Sequence, residues 1–202
     1  MGMHLGLVAV RAGVTDLKTG FLEGCPNFDV VDVAETFGTD EEFWTWMRSN
    51  AKFVSSADWK KENPGVETYA LWQDGEWAVL YDPTYVFASD SQSLSALSQK
   101  LGRVLTFVVE SAGGTAHFSG FEDGKCVREI AYNDGESMLQ GQALPQESGI
   151  NVEKYYMDET DTLLRAFGLR QTDAIPVLDS TIALAVVDHT DYSDLLQGEE
   201  AK

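Results

Sequence analysis

The feature that most constrains this fold is a series of short apolar runs joined by glycine turns. Three such runs follow closely on one another at residues 104–110, 115–121 and 125–132. Gly113-Gly114 and Asp123-Gly124 separate them, and glycine there supplies the positive φ angles that tight turns require. Connections this short can join only antiparallel strands, so the pattern predicts a three-strand meander.

A further hairpin is predicted earlier in the chain, where residues 69–72 and 77–81 flank Asp74-Gly75. We interpret Asp74-Gly75 as the centre of a type I′ turn. Apolar or alternating segments predict additional strands at residues 5–10, 28–33, 152–157 and 181–187. Residues 133–149 are rich in glycine and polar side chains, and we predict a loop there.

Four segments have the apolar spacing and the terminal residues of short helices. Thr39 and Glu42 have the spacing of a capping box. Gly102 follows a leucine repeat, as expected of a helix terminator. The predicted N-caps of the four helices are Thr15 or Asp16, Thr39, Asp90 or Ser91, and Asp158.

Hairpins interleaved with helices predict an α+β fold, with a mainly antiparallel sheet packed by three to four short helices. We expect a single domain over residues 1–192 and an acidic, flexible tail over residues 193–202. Folding of a 202-residue chain buries about 70% of the unfolded surface. A core of that size is stable without disulfides or a structural metal.

The charge balance limits the classes of partner. Asp and Glu total 33 against 14 Lys and Arg, for a formal net charge of -19. Such a field repels phosphate backbones and anionic lipid headgroups, so we expect neither nucleic acid nor a membrane surface as a partner. It attracts a basic protein. Residues 133–202 are denser in acids than residues 1–132, and we expect an acidic surface for a partner there.

Two cysteines and the first residues bear on the cellular compartment. Cys25 and Cys126 are isolated in sequence, which favours two small buried thiols, although their spacing is also compatible with a disulfide. The first residues lack the pattern of a secretory signal, and no apolar run is long enough to cross a membrane. We therefore expect a cytoplasmic protein.

The meander allows a candidate site to be placed by register. With turns centred on Ala112-Gly113 and Asp123-Gly124, His117 lies opposite Val108 and Ile130, and Ser119 lies opposite Arg128. One face then carries five polar side chains, Glu110, His117, Ser119, Arg128 and Tyr132. They form either an acid–base or anion-binding group, or cross-strand pairs on a half-solvated sheet face.

Aromatic residues form the second candidate for a binding surface. Tryptophans and tyrosines are concentrated within residues 43–85, and Trp72 and Trp77 flank the predicted hairpin turn. Aromatic groups beside acids, without interleaved basic residues, are typical of a surface for a protein or a small molecule. Packing in the core is the alternative interpretation.

No motif identifies a reaction. The chain lacks phosphate-binding loops, nucleophile elbows and zinc spacings, and we expect no cofactor, no metal and no catalytic residue. Asp188-His189-Thr190-Asp191 offers possible metal ligands at the end of a strand. A metal site needs further ligands from other elements, which the sequence does not supply.

The segment 104–147 resembles part of several uncharacterised bacterial families. It contains FSGFEDGKCVREIAY, continues through NDG and ends in GQALPQE. Some proteins similar to this are grouped with the immunity proteins of contact-dependent toxin systems. The resemblance implies an acidic, cytoplasmic, non-enzymatic protein that binds a basic toxin domain, and it implies no catalytic residue.

We therefore expect a non-enzymatic binding protein with a basic protein partner. The alternative is a small-molecule-binding domain or an enzyme that uses the polar sheet face around His117 and Arg128.

Overall fold

The computed structural model describes residues 4–54, 64–170 and 180–189. Within them the chain forms strands β1 His4–Val10, β2 Phe28–Glu35, β3 Val66–Asp74, β4 Trp77–Tyr81, β5 Val104–Glu110, β6 Thr115–Glu122, β7 Lys125–Asn133, β8 Glu136–Gly141 and β9 Ile182–Asp188. The helices are α1 Val14–Gly24, α2 Asp40–Asn50, α3 Ser91–Leu101 and α4 Met157–Ala166, with 3₁₀ turns at Pro145–Glu147 and Val152–Lys154. None of the described helices has both the length and the apolar character needed to cross a bilayer.

These strands form one sheet in the order β2-β9-β3-β4-β1-β5-β6-β7-β8. Every neighbouring pair is antiparallel. The predicted α+β class with a mainly antiparallel sheet is confirmed. β9 comes from the end of the chain and lies between β2 and β3, so β2 and β8 are the two outer strands.

Helices cover both faces of the sheet. On one face, the α1/α3 face, the buried helical side chains are Leu17, Phe21, Leu94 and Leu97. On the other, the α2/α4 face, they are Phe43, Met47, Leu163 and Leu164. Because both faces are buried, a central strand such as β1 is an almost continuous apolar run whose residues alternate between the two cores.

The helices begin close to the predicted positions. Thr39 Oγ1 accepts a hydrogen bond from Glu42 N at 3.2 Å, as the capping box predicts. The Glu42 carboxylate reaches one residue further back and accepts from Gly38 N at 2.9 Å. Asp90 caps α3 as predicted and accepts from Gln92 N. The predicted caps of α1 and α4 are wrong, because these helices begin after Gly13 and after Tyr156, and Thr15, Asp16 and Asp158 lie inside them. The sequence predicts a cap well where a side chain bonds to an amide two or three residues away.

The meander is confirmed, and a fourth strand extends it. Asp134 and Gly135 have φ angles of 44° and 93°, like Asp123 and Gly124 at 47° and 77°, so both pairs form tight turns of the same kind. The second turn leads into β8, which lies inside the segment predicted to be a loop. That prediction is wrong for residues 136–141.

Two further local predictions are wrong. Residues 152–157 form a 3₁₀ turn and the start of α4, because their apolar side chains pack onto the α2/α4 face and not within the sheet. The β3–β4 hairpin is present, but Asp74 pairs with Trp77 and the loop is Gly75-Glu76. Only Gly75 there has a positive φ angle, at 58°, which is the pattern of a type II′ turn. The Asp74 carboxylate instead accepts from Arg170 N at 2.8 Å.

Neither cysteine forms a disulfide. Cys25 is partly buried, and burial together with nearby carboxylates raises the pKa of its thiol to about 12. Cys126 is exposed, so the prediction of two buried thiols is wrong for that residue. The predicted tail at residues 193–202 lies outside the described residues.

Candidate functional site

His117 and Ser119 lie on the α1/α3 face of β6. His117 Nε2 is 2.9 Å from Glu129 Oε1 and 3.1 Å from Ser119 Oγ. Activation of a serine by histidine requires the carboxylate on the other ring nitrogen, so that one nitrogen stays available to take the hydroxyl proton. Here both partners converge on one nitrogen, and the Ser119 side chain is buried. The arrangement is a cross-strand polar cluster and not a nucleophile–base pair.

Arg128 lies on the opposite face of the sheet. The predicted pairs His117 with Ile130 and Ser119 with Arg128 are wrong, because an irregularity between Gly120 and Phe121 shifts the register of β7 by one residue. His117 lies opposite Ala131, and Ser119 lies opposite Glu129. A shift of one residue moves a side chain to the other face of a sheet. A single polar face around His117 and Arg128 therefore does not exist.

Arg128 has a buried ionic partner on its own face. Its Nε and Nη2 donate to the two oxygens of Glu147 at 2.8 and 2.6 Å. Its Nη1 donates to Gln140 O and Gly141 O. Glu147 Oε1 also accepts from Leu144 N at 2.8 Å. Four of the five N–H donors of the guanidinium thus have described acceptors, and the pair fastens the segment after β8 onto the sheet.

The other members of the predicted cluster are also separated. Glu110 shares the face of His117, but its carboxylate interacts with His4 at 3.6 Å and accepts from Ala112 N at 2.9 Å. Tyr132 lies opposite Ala116 on the α2/α4 face and contacts the ring of Tyr156. The structure therefore brings His117 and Ser119 together and distributes the rest.

Trp72 and Trp77 belong to the core. Both side chains are buried in the cluster on the α2/α4 face. Trp77 Nε1 donates to Phe167 O at 2.9 Å, while Trp72 Nε1 has no hydrogen-bond partner among the described residues. The core interpretation of these two residues is the one that the structure supports, and they are not on a binding surface.

The residues at the end of β9 make protein contacts and do not form a metal site with other described residues. His189 Nε2 lies 3.0 Å from Asp29 Oδ2, and Asp188 is buried. Thr190 and Asp191 lie outside the described residues. Among residues 4–54, 64–170 and 180–189, no group of three or more histidine, cysteine or acidic side chains is arranged to hold a metal ion.

An apolar groove of about 770 Å³ opens between α2, residues 51–54 and the ends of β3, β4 and β9. Its apolar lining includes Trp44, Met47, Val54, Val66, Tyr81 and Val86. Phe53 stands at the groove with 91% of its surface exposed, which is unusual for so large an apolar side chain. The sequence gives no local signal for this groove, because its walls come from four separate stretches of the chain.

Glu67 places a carboxylate in the wall of the groove. Its Oε2 accepts from Tyr69 Oη at 2.5 Å and from Thr84 Oγ1 at 3.2 Å. Burial is the main cause that raises the pKa of Glu67, and the nearby Asp82 and Asp188 raise it further. Asp82 is itself fully buried and accepts from Ala88 N at 2.9 Å, and burial raises its pKa as well. The second oxygen of Glu67, Oε1, has no hydrogen-bond donor among the described residues.

A second surface lies beside this groove, and we call it the acidic edge. It comprises Asp29, Asp32 and Glu35 on β2 and Asp40, Glu41 and Glu42 in the first turn of α2. All six side chains are exposed. β2 also exposes Val30, Val31 and Val33, so carboxylates and apolar groups alternate with each other along this outer strand.

The acidic edge has a sequence signal of its own. Residues 19–47 contain seven acids and no lysine, arginine or histidine. The prediction of an acidic surface after residue 132 concerns a segment of which residues 171–179 and 190–202 are not described, so it stays a prediction. The base-free stretch is the signal in the sequence that marks the acidic edge.

No family model, curated protein or solved structure matches the chain.

Proposed function

We propose that this chain is a non-enzymatic, cytoplasmic binding protein whose partner is a basic protein. The observation that carries the proposal is the acidic edge, where a base-free stretch of sequence folds into one exposed strand and the adjoining helix turn. Exposed carboxylates that are not neutralised by neighbouring bases produce a negative potential close to the surface.

Surface charge of this kind contributes mainly to the choice of partner and to the rate of association with it. Of the six carboxylates, Asp29 faces His189, and Asp32 and Glu42 accept from backbone amides of the chain itself. No lysine or arginine among the described residues forms an ion pair with any of them. A basic partner therefore supplies the missing countercharges, and the association is steered electrostatically and weakened by salt.

The class of partner that the 104–147 resemblance implies is consistent with this surface. The immunity proteins of that resemblance bind a basic toxin domain, and a charged exposed edge suits such binding. Within this proposal, binding and not turnover is the activity.

Capture experiments on the intact chain test the proposal. The immobilised protein is exposed to lysate of its source cells at low and at high salt, and the retained proteins are identified. We expect a basic protein that the wild type retains at low salt and releases at high salt. The triple variant Asp29→Asn, Asp32→Asn, Glu35→Gln should retain roughly tenfold less of it or worse.

The matched control removes three exposed acids near the other side of the molecule, Glu136→Gln, Glu153→Gln and Asp158→Asn. It makes the net charge less negative by the same amount but leaves the acidic edge intact, so it should retain the partner almost fully. Equal loss in both triple variants would show that only overall charge matters. Retention of no basic protein at low salt would contradict the proposed function.

A second candidate function is supported by the groove. A concavity of about 770 Å³ with an apolar lining and few polar groups is typical of small-molecule sites. Glu67 Oε1 offers an acceptor there, so the fitting ligand is largely apolar and carries a hydrogen-bond donor for this oxygen. This replaces the small-molecule site predicted around His117 and Arg128.

A neutral, solvent-sensitive dye tests the groove directly. Nile red should fluoresce on binding to the wild type and lose most of its signal with Ala51→Trp, which fills the groove. Thr45→Trp adds the same side chain at an exposed α2 position outside the groove lining and should leave the signal unchanged. Equal signals from both variants would remove this candidate.

A further inference from the structure

The backbone of β2 has an outward side that no described strand covers. At the two ends of the strand the hydrogen bonds to β9 are explicit, with His189 N donating to Asn27 O and Thr36 N donating to Thr181 O, both at 3.0 Å. Backbone groups of an antiparallel strand alternate between its two sides. Counting back from Thr36, the N–H and C=O groups of Val33 and Glu35 therefore face away from β9.

One side-chain contact supports that assignment. Val33 N donates to Asp32 Oδ1 at 2.9 Å, so this amide is not used in the ladder with β9. The carboxylate that occupies it belongs to an exposed residue on the neighbouring position. The outward amide is thus satisfied in the free protein by a contact that a competing partner can displace.

The aspartates of β2 point to one face of the sheet, and Val30 and Val33 point to the other. Val30 lies opposite Val186, and Val33 lies opposite Leu184, which places both valines on the α1/α3 face. Asp29 and Asp32 point to the α2/α4 face, the face on which α2 packs. The two valines are 38% and 41% exposed, which is high for apolar residues of a sheet. Glu35 lies on the valine side, at the end of the strand.

We propose that the outer edge of β2 binds an extended segment of the basic partner as an additional strand. This inference rests on the proposed function and adds its geometry. A strand paired with β2 places alternate side chains beside the aspartates and beside the valines, so the segment alternates basic and apolar residues. A lysine or arginine beside Asp32 draws its carboxylate away from Val33 N and frees that amide for the new ladder.

The charges also select against a second copy of this chain. Pairing of β2 with itself would bring the aspartates and glutamate of two copies next to one another, and like charges on adjacent strands are destabilising. Acidic residues and a β-bulge, such as the one between Val30 and Asp32, are features that prevent an edge strand from pairing with the same strand of another copy. The same acids attract a basic strand.

Synthetic peptides test the inference with the full-length protein. The probe is a ten-residue peptide of alternating lysine and valine with a neutral fluorescent label, followed by anisotropy at low salt. Its comparator has the same side chains and charge but is N-methylated at its six central residues, so it lacks the donors for a ladder. We expect the comparator to bind at least about tenfold more weakly, since a strand pairs through its backbone.

A proline variant tests the same edge from the protein side. Val33→Pro removes the outward amide, and proline is tolerated in an edge strand where its nitrogen faces solvent. It should weaken peptide binding about tenfold, whereas Val33→Ala, which keeps the amide, should weaken it far less. Thermal unfolding of both variants reports whether the fold is retained. If Val33→Pro fails to fold, the N-methylated peptide alone decides.

The outcomes separate this inference from the function on which it rests. If the N-methylated peptide binds as tightly as the unmodified one, strand addition is wrong. If both peptides bind the wild type equally but neither binds the triple variant Asp29→Asn, Asp32→Asn, Glu35→Gln, the acidic edge still binds a basic partner and the proposed function stands. If the unmodified peptide does not bind the wild type at low salt, strand addition is wrong. If a basic partner captured from lysate is retained equally by that triple variant, the acidic edge is not its site.

Discussion

Replacing Glu147 by alanine would leave the guanidinium of Arg128 buried without its carboxylate. Both side chains are 5% exposed, and two hydrogen bonds of 2.8 and 2.6 Å join them. Removing one member of a buried ion pair typically costs about 3–5 kcal/mol, because the remaining charge stays desolvated. For a domain whose total stability is about 5–15 kcal/mol, this is a large fraction.

Arg128 would keep its two carbonyl acceptors, Gln140 O and Gly141 O, so the cost should lie at the lower end of that range. In a chain of this length, about 3 kcal/mol corresponds to a decrease in melting temperature of about 6–12 °C. Urea unfolding followed by far-ultraviolet circular dichroism measures the free-energy change directly. Glu23→Ala, which breaks the exposed pair with Lys100, is the control and should cost about 1 kcal/mol or less.

The double variant Arg128→Met, Glu147→Leu distinguishes the cause. If the penalty of the single variant comes from an unpaired buried charge, replacing both members by apolar groups should recover most of it. A cost below about 1 kcal/mol for Glu147→Ala, or a double variant as unstable as the single one, would refute the reasoning.

Three smaller predictions concern other described residues. Trp77→Phe should destabilise the protein by about 1 kcal/mol more than Trp72→Phe in urea unfolding, since only the first loses a hydrogen bond and the lost volume is equal. Burial raises the pKa of Glu67, so its contribution to stability is fully present below the ordinary pKa of glutamate and is lost as pH rises through the folded value. Glu67→Gln should therefore gain thermal stability relative to the wild type at pH 7 and lose that advantage near pH 4; the opposite trend would contradict this. Iodoacetamide at neutral pH should modify the exposed Cys126 faster than Cys25, whose pKa is raised to about 12, as peptide mass spectrometry would show.

Features set by adjacent residues were the predictable part of this fold. Thr39 and Glu42 predict the start of α2 because capping involves residues three apart, and Asp123-Gly124 predicts a hairpin because the turn itself needs those residues. Asp134-Gly135 carries the same turn signal, so the local sequence also contains a signal for β8.

The candidate site was less predictable because it depends on register and on distant strands. The irregularity beside Gly120 has no distinctive residue, yet it moves Arg128 and Ile130 to the other face. The groove and the acidic edge depend on β9 entering between β2 and β3, which no local pattern reveals. The net charge of a long segment, such as residues 1–132, does not show the base-free stretch at residues 19–47.

The position of β9 has a consequence for the order in which this protein is completed on the ribosome. Phe28 pairs with Asp188, so β2 has no neighbour in the sheet until residue 188 has been synthesised. Pairing between strands so distant in sequence forms slowly, and until then the edge of β3 is exposed. The surface proposed to receive a partner is therefore the last part of the sheet to be assembled, and an unfinished chain does not display it.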